Sequence, residues 1–123
     1  MKSIKFANGK EYEIIECYNN GKRYINGETR TCREIVIADD VISLDELKNL
    51  LSAESNLSSI DVKMVEDREV DGEMKHFEDT EVLAGFIYAD EIKYKFDGEI
   101  CFIIGQKTEA EDVIDQLLIA MEV

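Results

Sequence analysis

Five Asn-Gly or Asp-Gly pairs punctuate a chain that contains no proline: Asn8-Gly9, Asn20-Gly21, Asn26-Gly27, Asp71-Gly72 and Asp97-Gly98. Such pairs tolerate the positive φ angles of tight turns, so apolar alternation on either side of them reads as a β-hairpin. The first pair is the clearest. Ile4, Phe6, Tyr12 and Ile14 occupy even positions, while Lys5, Glu11 and Glu13 occupy odd ones. A two-residue loop would set Phe6 against Glu11 and Ile4 against Glu13. A three-residue loop, Ala7-Asn8-Gly9, gathers all four apolar residues on one face and places Lys5 opposite Glu11. The odd loop is therefore expected, with Gly9 left-handed in a bulge.

Residues 19–29 read as turn or short hairpin, followed by a strand from Cys32 to Ala38 that Asp39-Asp40 ends. Ile60, Val62 and Met64 alternate with Ser59, Asp61 and Lys63 as a half-buried strand. At Asp97-Gly98 a two-residue loop is expected, which sets Tyr94 opposite Cys101 and Ile92 opposite Ile103. Lys93 and Lys95 would then lie beside Phe102 and Ile100, covering them with their methylene stems. The run Ile100-Cys101-Phe102-Ile103-Ile104 is apolar on both faces and reads as an interior strand.

Two helices announce themselves by their starts. Ser43-Leu44-Asp45-Glu46 is a capping box, followed by Leu44, Leu47, Leu50 and Leu51 at helical spacing and an end near Ala53. Thr108-Glu109-Ala110-Glu111 is a second, opening a helix with Ala110, Val113, Ile114, Leu117, Leu118 and Met121 at spacings of three and four. Packing of that stripe onto the sheet is expected, with a partner-binding face as the sharper alternative. The fold expectation is one α+β domain over residues 1–123: a mostly antiparallel sheet of about six strands, with two helices packed on one face.

Charge narrows function. The 123 residues carry a net charge of −14, distributed as +2 over residues 1–37, −10 over 38–81 and −6 over 82–123. The 45% hydrophobic content is enough for a core. The acidity disfavours nucleic acid and anionic membranes as partners. No stretch approaches the roughly 20 apolar residues of a membrane span, and Met1-Lys2-Ser3 leads into no signal-peptide run, so a soluble, non-secreted protein is expected.

Cys17, Cys32 and Cys101 have no Cys-x-x-Cys spacing and an odd count, which excludes a fully paired disulfide framework or an ordinary zinc knuckle. Cys17 and Cys101 read as small buried hydrophobes. The one histidine, His76, falls in an acidic segment and reads as part of a solvated turn. No catalytic, cofactor-binding or metal-binding residue is assigned. One coincidence is sharp: Asp67-x-Glu69-x-Asp71-Gly72, followed by Glu78, nearly reproduces an EF-hand calcium loop. Glu69 is too long for its place, however, and Ile60–Met64 alternates as a strand where an entering helix is required. Residues 66–81 hold eight acidic and two basic groups and are expected to form an acidic surface loop, or a weak hairpin turning at Asp71-Gly72.

Ile4-Lys5-Phe6-Ala7-Asn8-Gly9-Lys10-Glu11-Tyr12-Glu13-Ile14, the Ser43–Leu47 helix start and Gln106-Lys107-Thr108-Glu109-Ala110-Glu111 together resemble small proteins encoded in phages and prophages of gut Firmicutes, near tail and baseplate genes. Residues 66–96 depart most from that pattern, being longer and more acidic. The resemblance implies a non-enzymatic structural or assembly component of the tail module. Its partners would be phage structural proteins of tail or baseplate, met in the bacterial cytoplasm during assembly or in the virion. The alternative from a different class is an acidic interaction protein or DNA mimic that regulates a host protein, which requires carboxylates on one continuous face at phosphate-like spacing.

Overall fold

The computed structural model describes residues 1–121, apart from the side chain of Asn20; the expected domain's last two residues, 122 and 123, lie outside them. Eight strands and two α-helices follow in the order β1 (Lys2–Lys5), β2 (Glu11–Ile14), β3 (Glu16–Ile25), β4 (Glu28–Ala38), α1 (Leu44–Ser52), β5 (Asp61–Val70), β6 (Glu73–Val82), β7 (Tyr88–Tyr94), β8 (Glu99–Gly105) and α2 (Glu109–Met121). A 3-10 turn, Glu54–Leu57, follows α1. The class is α+β, as the alternation and the capping boxes predict. The strands number eight rather than six, and they form two antiparallel four-stranded sheets rather than one, ordered β2-β1-β5-β6 and β3-β4-β8-β7.

The sheets meet at a corner. Ile14 pairs with Lys2 in the first sheet, and the amide of the next residue, Ile15, donates to the Val36 carbonyl of the second at 2.7 Å. Inside this corner lies one core. Ile4, Phe6 and Ile14 come from the first sheet, Ile35, Ile37, Ile100, Phe102 and Ile104 from the second, and Leu47, Leu50 and Leu51 from α1. Ser43 caps α1 as expected, its hydroxyl accepting from the Glu46 amide.

The N-terminal hairpin has the three-residue loop and the Lys5–Glu11 pairing that its apolar face demands. Phe6 and Lys10 close it, and Gly9 lies at φ 87°. The Asp97-Gly98 hairpin departs from expectation by one residue. Tyr94 pairs with Ile100, Ile92 with Phe102 and Lys93 with Cys101, while the Lys95 amide donates to the Glu99 carbonyl. Lys93 and Lys95 therefore do not flank Phe102 and Ile100. Two forces set this register. The Asp97 carboxylate accepts the Glu99 amide at 3.1 Å, as Asn8 accepts that of Lys10, and only Gly98 takes a positive φ. The odd loop also turns Ile92 toward the core face of Phe102 rather than the back face of Ile103.

Residues 19–29 extend further than a short hairpin: β3 and β4 continue to a two-residue turn at Asn26-Gly27, with a register shift between Asn19 and Lys22. Residues 66–81 are a hairpin rather than a loop, paired from Asp61–Val82 to Val70–Glu73 around Asp71-Gly72.

The largest departure is α2. None of its side chains is buried, so only α1 packs against the core. The core face of the second sheet, with Ile35, Ile37, Ile100, Phe102 and Ile104, packs in one cluster with Leu47, Leu50 and Leu51 of α1, Leu57 and Phe86, and no residue of α2 belongs to that cluster.

Candidate functional site

The site begins with an arginine. Strands alternate their side chains, so Arg30 shares with Cys32 the face of β4 opposite the main core. There Ile25, Cys32 and Ile103 form a second, small cluster with Tyr88 packed against it. Arg30 is 1% exposed, and its guanidinium carbon lies 3.9 Å from the centre of the Tyr88 ring. Gly105, at the end of β8, makes room for it. A β-carbon there would stand 2.9 Å from the Ile25 Cδ1 and 3.3 Å from the Arg30 Cδ.

A buried guanidinium needs its donors filled and its charge paired. Arg30 Nε donates to the Ile25 carbonyl at 2.7 Å, Nη2 to the Asn26 carbonyl at 3.3 Å, and Nη1 to the Gln106 carbonyl at 3.2 Å. Both terminal nitrogens also donate to Glu111, in the first turn of α2. Glu111 closes the capping box too: its Oε1 accepts from the Thr108 amide at 2.9 Å, and its own amide donates to the Thr108 hydroxyl. Tyr88 donates to Glu111 Oε2 at 3.3 Å. The Arg30 guanidinium, and after it the Thr108 amide, hold the Glu111 carboxyl down to about 2. Four segments thus meet at one charged knot: the β3–β4 turn, β7, the end of β8 and the start of α2. Lys107 adds a second clasp to Asp115, which raises the Lys107 pKa.

These polar clasps hold α2 by the side carrying Glu111 and Asp115, while its apolar side chains lie in solvent. Val113, Ile114, Leu117, Leu118 and Ile119 are each more than half exposed, and Met121 is 81% exposed. At 100° per residue, Val113, Leu117, Ala110, Met121, Ile114 and Leu118 span about 140° of the circumference. Residues 116–121, Gln-Leu-Leu-Ile-Ala-Met, carry no charge. What this arrangement offers is a mounted apolar surface.

The calcium-like spacing does not converge. Asp67 and Glu69 lie on β5, Glu78 on β6 and Asp71 in the turn between them. The hairpin brings Asp67 and Glu78 to either side of His76, at 2.8 and 3.4 Å, but pairs Glu69 with Met74. Extended strands cannot wrap oxygens around one ion as a loop does. Among the described residues, no group of three or more His, Cys, Asp or Glu side chains could hold a metal ion. His76 sits on a strand rather than in a turn, and Asp67 and then Glu78 raise its pKa.

Cys101 is buried as expected and so is Cys32, but Cys17 is only half-buried. It lines a cleft of ≈ 200 Å³ between the sheets, spanned by the ion pairs Lys2–Glu16 and Arg33–Glu81. Burial raises all three thiol pKa values, which keeps them protonated and poorly nucleophilic.

The capping box signals Glu111 in the sequence. Arg30, in Thr29-Arg30-Thr31, has no local signal; its two-residue offset from Cys32, on the same face of β4, is the one available clue. No helix among the described residues is long and apolar enough to cross a membrane. Comparison with protein-family models, with curated proteins and with solved structures finds nothing that matches this chain.

Proposed function

We propose that this chain is a non-enzymatic interaction protein that serves as a structural or assembly component of a phage or prophage tail module, with α2 as its docking element. The observation that carries the interaction reading is the contrast within α2. Its base is tied by Arg30, Thr108, Tyr88 and Lys107, yet its apolar stripe lies open. A helix of this kind is stable in place and still has apolar surface left to bury, which is the condition for helix-in-groove recognition. The non-enzymatic reading is supported by three thiols held protonated and by a histidine on an open strand between two carboxylates. The tail context comes from the sequence resemblance.

The alternative of a DNA mimic draws less support from the acidic hairpin. Its register and pleat put Asp61, Asp67, Glu69 and Glu78 on one face and Glu66, Glu73, Asp79 and Glu81 on the other. Lys63 and His76 interrupt the first face, and Arg68 and Lys75 the second. A phosphate-like ladder needs one unbroken face.

The test is composition and assembly of particles from the encoding strain. The protein is expected in the tail fraction or in tail-assembly intermediates, with defective tails on deletion. Intact tails after deletion, and no trace of the protein in either fraction, would overturn the reading.

A further inference from the structure

Resting on that reading of α2 as a docking element, we infer the chemistry of what covers it: an amphipathic partner segment whose apolar face is bordered by Lys or Arg. Charge complementarity carries the inference. The helix contains Glu109, Glu111, Asp112 and Asp115 and no basic residue. Glu111 and Asp115 are matched by Arg30 and Lys107 within the chain. Glu109 is exposed, forms no ion pair among the described residues and lies one turn before Val113 at the border of the stripe, whereas Asp112 lies on the opposite side of the helix, where it lines a pocket with Lys107. A basic rim on the partner would meet the Glu109 carboxylate beside the apolar contact. The stripe, at about 140°, is wider than the seam of a two-helix coiled coil, so the partner must wrap it with a groove or a broad helical face.

A second copy fits this surface poorly. It would bring another −14 of charge and the same acidic first turn to the contact. An antiparallel pair would also set Glu109 of one helix beside the negative C-terminal end of the other.

Two synthetic helical peptides with the same Leu stripe, one rimmed by Lys and one by Glu, test this by fluorescence anisotropy against the intact chain. The Lys-rimmed peptide should bind at least about tenfold more tightly at low salt, with the gap narrowing at about 1 M salt. Leu117→Glu should weaken that binding about tenfold or more, even though it adds an attractive charge, because the apolar contact is lost. Equal binding of both peptides would overturn the basic rim while leaving α2 as a docking helix. Lys-peptide binding that ignores Leu117→Glu would mean bulk charge alone and would overturn the proposal, as would no binding of either peptide. A concentration-dependent dimer of the chain, abolished by Leu117→Glu, would replace the proposed partner with a second copy. Tail association that survives a failed peptide test would leave the broader function standing without this partner chemistry.

Discussion

Ile100–Ile104 of β8 and Val113–Met121 of α2 are both dense in Ile, Leu, Val and Phe or Met, yet β8 is buried on both faces and α2 buries no side chain. The difference lies in what each segment finds beside it. β8 runs between β4 and β7, with Ile100, Phe102 and Ile104 turned to the main core and Ile103 to the cluster of Ile25 and Cys32. α2 leaves the end of β8 after Gln106–Thr108, and the main core is covered by α1 instead. Hydropathy alone does not decide burial. The position of a segment in the order of strands, and the faces its neighbours leave uncovered, decide it.

The comparison breaks first at the core. Phe102→Ala should cost about 3–5 kcal/mol in denaturant unfolding, because it empties a fully enclosed site. A cost near that of a surface change would mean β8 is not the centre of the fold.

Arg30→Ala strikes the junction between the two regions. It removes donors to Ile25, Asn26, Gln106 and Glu111 from a buried position and should cost about 2–4 kcal/mol. Exchange of α2 amides should accelerate more than that of β8 amides, since Glu111 loses its main anchor. Equal acceleration in both would mean α2 is held by something other than the knot. Gly105→Ala pushes on Ile25 and Arg30 from the other side; the end of the Ile25 side chain can shift, so a loss of about 1 kcal/mol is expected in the same assay.

Acid should separate the regions without mutation. The folded Glu111 carboxyl titrates at about 2, below its ordinary 4.5. Its contribution is therefore fully present above about pH 4.5 and is lost as the pH falls toward 2. Protection of α2 amides should decline across that interval, and Glu111→Gln should flatten the decline. An unchanged acid profile in Glu111→Gln would remove the carboxylate from the anchoring role.

The parts of the fold that local rules govern are legible in the sequence. The Ala7-Asn8-Gly9 loop followed from the mismatch of Phe6 with Glu11, and both capping boxes from Ser43 and Thr108. Face-matching does not fix the register of the Asp97-Gly98 hairpin, because Ile100–Ile104 is apolar on both faces and offers no contrast. The Asp71-Gly72 hairpin was obscured by its charge, since a ribbon with both faces in water shows little apolar alternation. The candidate site was half legible. The α2 stripe and Glu111 are visible in the residues, whereas Arg30 depends on a contact 81 positions away. The openness of α2 depends on α1 having filled the core.

The most direct test of the account is the thermal midpoint of the isolated Ile114→Gln/Leu117→Gln double variant, because glutamine keeps helix propensity while removing apolar surface. With both side chains already in solvent, the midpoint should stay within about 2 °C of the parent. A fall of about 10 °C or more, comparable to that of a core truncation, would show that the stripe is buried within the chain and would contradict the claim that α2 is a mounted, uncovered docking helix.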